Sequence, residues 1–141
     1  MNLSRALVTA AMLISSSIAL GAPNVPAGLY AVRKDLAQAV QTHDRKRIVA
    51  LSDSPLAVEG YGAAPKMTAQ QFLANEDKFD GLFGSADAGI VRCIRTDPPQ
   101  LQGDKKSFGY GSWFIDCNGN EYFFALRSGK WLFVGYQNIN E

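Results

Sequence analysis

Residues 113–137 read WFIDCNGNEYFFALRSGKWLFVGYQ. Aromatic and β-branched residues fill this stretch. Asn118-Gly119 and Ser128-Gly129 interrupt it at the spacing of tight two-residue hairpin loops. The runs Phe108–Asp116, Glu121–Arg127 and Trp131–Gln137 therefore predict three consecutive antiparallel strands. With Asn118-Gly119 as the first loop, Trp113 faces Phe124 and Ile115 faces Tyr122. The same register sets Asp116 opposite Glu121, a mildly unfavourable pair that a bulge or a one-residue shift would relieve. With Ser128-Gly129 as the second loop, Phe124 faces Phe133 and Leu126 faces Trp131. Alternation then puts Trp113, Ile115, Tyr122, Phe124, Leu126, Trp131 and Phe133 on one face, and Phe114, Phe123, Ala125, Leu132, Val134 and Tyr136 on the other. Both faces are apolar, unlike a half-solvated sheet. Helices can cover one. The other must meet the rest of the sheet, a small apolar ligand, a protein partner or a second copy of the chain.

Upstream, the pattern is helical. Leu29, Val32, Leu36 and Val40 form one apolar stripe on a helix from Ala27 to about Gln41. Thr42-His43-Asp44 breaks it. Asp44 caps a second helix that turns Ile48 and Leu51 inward and stops at Asp53-Ser54-Pro55. Leu56–Glu59 is a short strand candidate, and Gly60 to Lys66 reads as a loop. Thr68 with Gln71 fits a capping box. It opens a helix on which Phe72, Phe79, Leu82 and Phe83 share a face, ending near Phe83 or Gly84. Ser85 to Gly89 reads as a second loop. Ile90–Thr96 reads as a strand ended by Asp97-Pro98-Pro99, and Gln100–Lys106 as polar and exposed.

The amino terminus gives the compartment. Met1 to Arg5 is a short cationic start, Ala6 to Leu20 is uncharged and apolar, and Ala19-Leu20-Gly21 supplies small residues for cleavage, the layout of a secretory leader. Residues 1–21 are read as that signal peptide and 22–141 as one exported domain of about 120 residues. The apolar run is too short, and too interrupted by Ser15-Ser16-Ser17, to span a membrane. No Cys follows the cleavage point to carry a lipid anchor. The mature chain is thus expected to be periplasmic or secreted, with no membrane span. Loss of Arg5 takes the formal net charge from +1 to zero, so nothing steers the chain toward nucleic acid or an anionic surface. Cys93 and Cys117 are the only two cysteines. In an oxidising compartment an even count implies a bridge, the alternative being two buried thiols that never meet.

Chemistry-bearing residues are few. His43, the only histidine, falls at a helix break and reads as a turn residue. Asp116 is the candidate general base, since a carboxyl buried among aromatics would have a raised pKa, although it flanks a turn at the sheet rim. Arg92 and Arg95 fall on opposite faces of their strand, so only one points into a cavity, where it would hold an anionic ligand. Glu76 and Asp80 share a helix face without calcium-loop spacing. No metal or cofactor motif appears, so no cofactor is expected.

The helix pair from Leu29 to Leu51 broken at His43-Asp44, the Phe72-to-Phe83 helix, and Gly109-Tyr110-Gly111-Ser112-Trp113-Phe114 leading into the last strands resemble the nuclear transport factor 2-like, or ketosteroid-isomerase-like, superfamily. The resemblance spans nearly the whole mature chain. It implies helices closing one side of a cone whose sheet lines a pocket or a dimer surface. The expected fold is thus a single α+β domain, with N-terminal helices packed on a curved antiparallel sheet. The expected function is non-catalytic binding or interaction in the bacterial envelope. The expected binding residues are Trp113, Tyr122, Phe124, Trp131, Phe133 and Arg92. Such a protein would hold a small apolar ligand or an envelope protein, for instance as an immunity or inhibitor protein against a toxin. The alternatives are an isomerase or dehydratase with an Asp base, and a homodimeric structural protein.

Overall fold

The two hairpins form in the register that their loops dictate. In the computed structural model, which describes residues 24–59 and 66–140, Asn118 and Gly119 have φ of 56° and 86°, and Ser128 and Gly129 49° and 77°. Positive φ at both central residues is what a type I′ loop demands. Strands β4 (Trp113–Cys117), β5 (Asn120–Arg127) and β6 (Lys130–Asn138) follow. Trp113 pairs with Phe124, Ile115 with Tyr122 and Asp116 with Glu121. Phe124 pairs with Phe133 and Leu126 with Trp131. The leader read at 1–21 and loop residues 60–65 lie outside the described residues.

The second hairpin departs from simple alternation at one place. Its register shifts between Phe123 and Phe124, so Phe123 pairs with Gly135 and Tyr122 with Tyr136. The extra residue in β6 is a bulge, and beyond it every side chain changes face. Tyr136, expected on the same face as Phe123, instead lies with Tyr122 in the helix-side core. The fold is the expected single α+β domain with N-terminal helices on a largely antiparallel sheet, and the one parallel pair makes that sheet mixed. The sheet has six strands in the order β2-β1-β6-β5-β4-β3, with β1 (Ser52–Glu59), β2 (Lys66–Met67) and β3 (Gln100–Leu101) added. Strand β1 runs parallel to β6; every other neighbouring pair is antiparallel.

Helices cover one face. Helix α1 (Ala27–Gln41) buries the expected stripe of Leu29, Val32, Leu36 and Val40. Helix α2 (Arg45–Ala50) starts where Asp44 accepts a hydrogen bond from the Arg47 amide. The capping box of Thr68 and Gln71 is complete and opens α3 (Ala69–Ala74). The single helix expected to Phe83 divides at Asn75, whose backbone is extended and whose side chain caps a new helix, α4 (Glu76–Phe83). Asparagine offers the backbone this local alternative to helix continuation.

The main correction is residues 90–96, read as a strand and found in helix α5 (Ala88–Thr96). Asp87 caps it, accepting from the amides of Gly89 at 2.8 Å and Ile90 at 3.1 Å. At its other end stands Arg33 of α1, 1% exposed. The Arg33 guanidinium donates to the carbonyls of Ile94 at 2.7 Å, Cys93 at 3.3 Å and Asp97 at 2.6 Å. These carbonyls lie at a helix C-terminus, where partners are missing and the helix dipole favours a cation. Burial lowers the Arg33 pKa, opposed by Tyr30 and Asp97. A disulfide between Cys93 and Cys117 ties α5 to β4, with Cα atoms 5.8 Å apart.

Replacing Arg33 with Met keeps volume but takes the guanidinium donor from the Ile94 and Asp97 carbonyls, while Cys93 O keeps the Asp97 amide. Urea unfolding should show a loss of roughly 3 kcal/mol, with Arg33→Lys recovering part of it; a loss within error would refute the cap. For the bridge, maleimide should label neither cysteine in denatured, unreduced protein, and both after reduction. Labelling before reduction would show that no bridge exists.

Candidate functional site

The aromatic face nominated for binding is the helix-side core. Tyr122, Phe124 and Phe133 are fully buried and Trp113 nearly so. The Phe83 ring stacks on Tyr122, with centroids 5.8 Å apart, and the Tyr122 hydroxyl donates to the Leu82 carbonyl at 2.5 Å. Trp131 is half-buried and lies against α1 at Gly28, where any Cβ would collide with the indole. The helices α1 and α4 thus fill the helix side of the sheet with their own side chains.

The opposite face differs. Phe123, Ala125 and Val134 form a second small core, packed against half-buried Phe108, Phe114 and Leu132. Among the described residues this cover comes from strands and from the segment 102–112. The Gln102 amide donates to Ser112 O and the Gly111 amide to Gln102 O, each at 2.8 Å. The Asp104 carboxylate accepts from the Lys106 amide at 2.9 Å and the Ser107 hydroxyl at 2.8 Å. Those two bonds, the backbone one foremost, lower its pKa. So braced, the segment lays Phe108 edge-on against Phe123, with centroids 5.0 Å apart. Gly135 makes room, since a Cβ there would lie 3.0 Å from the Phe108 ring. The sequence reading missed Phe108 as a plug, because its partners lie far along the chain. The glycine in β6 was the available signal, marking close approach by another group.

Charge frames this outer face. Arg127 and Lys130 pair at one end, and Asp116 and Glu121 at the other. Arg127 is also bonded to Asp53 at 3.4 Å. Burial, then the Asp116 charge, raises the Glu121 pKa. Asp116 itself is exposed, and its Oδ1 accepts from the Gly119 amide at 2.7 Å. That makes it a turn-bracing carboxylate at the rim. His43 is exposed with φ 54°, a turn residue whose ring lies 5.0 Å from Phe79.

Two cavities border α5. One of about 390 Å³ lies beside the disulfide, between Asp87, Ile90 and Asp97 on one side and Asn118 and Asn120 on the other. Its polar groups are engaged locally: Asp87 caps α5, and Asn120 accepts from the Tyr136 hydroxyl at 2.6 Å while donating to Cys117 O at 3.2 Å. The other, about 230 Å³, is lined by Gln41, Ala86, Val91, Arg92 and Arg95. In a helix Arg92 and Arg95 share a face, so the assignment to opposite faces is corrected. Both are exposed. Among the described residues no cluster of His, Cys, Asp and Glu is arranged to hold a metal. No helix among them is long and apolar enough to cross a membrane. Comparison with protein-family models, curated proteins and solved structures finds no match.

The Asp116–Glu121 pair has a testable consequence. A raised carboxyl pKa means that the native state binds the proton more tightly than the unfolded chain. Its contribution is favourable in acid and is lost as pH rises through the raised value. Glu121→Gln should therefore stabilise the protein at neutral pH by a few tenths of a kcal/mol. The gain should vanish once Glu121 is protonated in acid. A pH-independent gain would mean that charge is not its origin.

Proposed function

We propose that this chain is an exported, non-catalytic interaction protein of the bacterial envelope that presents the outer face of its sheet to a protein partner. The observation that carries the reading is the half-buried trio Phe108, Phe114 and Leu132 around a fully buried Phe123. An apolar centre between a cationic end and an anionic end has the anatomy of a protein interface, a hydrophobic core within a polar rim. The Cys93–Cys117 bridge is compatible with an oxidising compartment, and the leader-like amino terminus supports export. The proposed membership of the nuclear transport factor 2-like superfamily rests on the sequence resemblance alone, and α5 stands where that reading had a strand.

The test uses the full chain in its native envelope, with a photo-cross-linking residue at Leu132 or, as control, at exposed Lys34 on α1. Illumination should give a discrete protein adduct from position 132 and none from position 34. An adduct of two copies of this chain would instead make the face a homodimer surface, and no adduct would refute a docking role. Recovered protein should begin near Ala22; an uncleaved chain in the cytoplasm would overturn export.

A further inference from the structure

We infer that the cleft between α5 and the end of α1 is a binding site for an oxyanion, the phosphate or carboxylate group of a small ligand, held by Arg92 and Arg95. The inference is independent of the outer-face reading, because the two sites share no residue.

The other described arginines all have partners. Arg33 is satisfied by carbonyls, Arg45 pairs with Glu76, Arg47 with Asp35 and Arg127 with Asp53. Arg92 and Arg95 pair with no carboxylate among the described residues. They stand three residues apart on one helix, a spacing that makes neighbours of side chains that would oppose one another in a strand. Two like charges side by side repel, and an anion between them removes that cost.

The cleft adds shape to this charge. Its lining contains Gln41, Arg92, Arg95 and Thr96 over a floor of Ala86, Ala88 and Val91, with no acidic residue. The Gln41 side-chain oxygen accepts from the Arg95 guanidinium at 3.1 Å. This bond holds Arg95 at the rim and leaves its remaining donors free. Arg92 leaves its planar fork for bidentate contact with phosphate or carboxylate. Thr96 is turned the other way, its hydroxyl donating to Arg92 O at 2.9 Å. At about 230 Å³ the cleft is smaller than sites that enclose a whole drug-sized molecule. It suits an anionic head group with the rest of the ligand lying outside.

Arginine side-chain NMR with the intact protein tests this directly. Inorganic phosphate and sodium acetate are titrated separately at constant ionic strength while the Nε–H signals are followed. The Arg92 and Arg95 signals should shift together and saturate, with those of Arg45 and Arg47 unmoved. The arm that saturates at lower concentration tells a phosphate ligand from a carboxylate. Arg92→Gln combined with Arg95→Gln should weaken binding by at least about tenfold, whereas Arg47→Gln leaves it unchanged. Shifts that stay linear in both arms, or that appear equally on all exposed arginines, would show general screening and overturn the site. A cross-linking failure at Leu132 would leave this result untouched.

Discussion

One guanidinium organises the helical half of the molecule. Arg33 leaves α1 at a position on its apolar stripe and ends among the last carbonyls of α5. A helix C-terminus buried without donors costs free energy at each carbonyl. A buried cation without an acceptor costs more. Each feature is tolerable only because the other is present, so the two helices are locked in one relative position. The disulfide from Cys93 carries that position on to β4. Helix α5 is thereby held at one end by Arg33, at the other by the Asp87 cap, and in the middle by a covalent link to the sheet.

With α5 placed, the two faces of the sheet acquire different fates. The helix-side face receives α1 and α4, and its aromatic residues become core. Among the described residues the outer face receives the segment 102–112 and its plug, Phe108. The bulge in β6 serves both. It turns Tyr136 inward, where its hydroxyl meets Asn120, and it places Gly135 outward, where the Phe108 ring needs space. One added residue therefore adjusts the packing on both sides. The half-covered outer surface that results is where a partner would find apolar area without disturbing the main core.

The arginines show how secondary structure alters a functional reading. Taken as strand residues, Arg92 and Arg95 diverge. Taken as helix residues, they converge on one cleft. Ile90, Val91 and Ile94 are β-branched and argued for a strand. Their spacing, with Asp87 just ahead, also fits a short capped helix, and at this length propensity and period do not decide. Arg33 was not singled out in the sequence, although it is a cation four residues after Leu29 and three before Leu36, on the buried side of α1. What it bonds to was not legible, because its acceptors lie some sixty residues away, |i−j| = 60 to 64.

Signals that act over a few residues were determined by the sequence alone. They include the hairpin loops and their register, the Asp44 cap, the Thr68–Gln71 capping box, the stripe on α1 and the Asp116–Glu121 opposition. In each, a backbone preference or a side-chain hydrogen bond is completed within the segment itself. The tertiary structure alone decided four things: that residues 88–96 are helical, that β1 runs parallel to β6, that Tyr136 changes face, and that Phe108 covers the outer core. Each depends on groups distant in sequence, on the cost of leaving buried carbonyls unpaired or on the volume that one ring needs beside a glycine. Such costs arise only when the chain has folded back on itself.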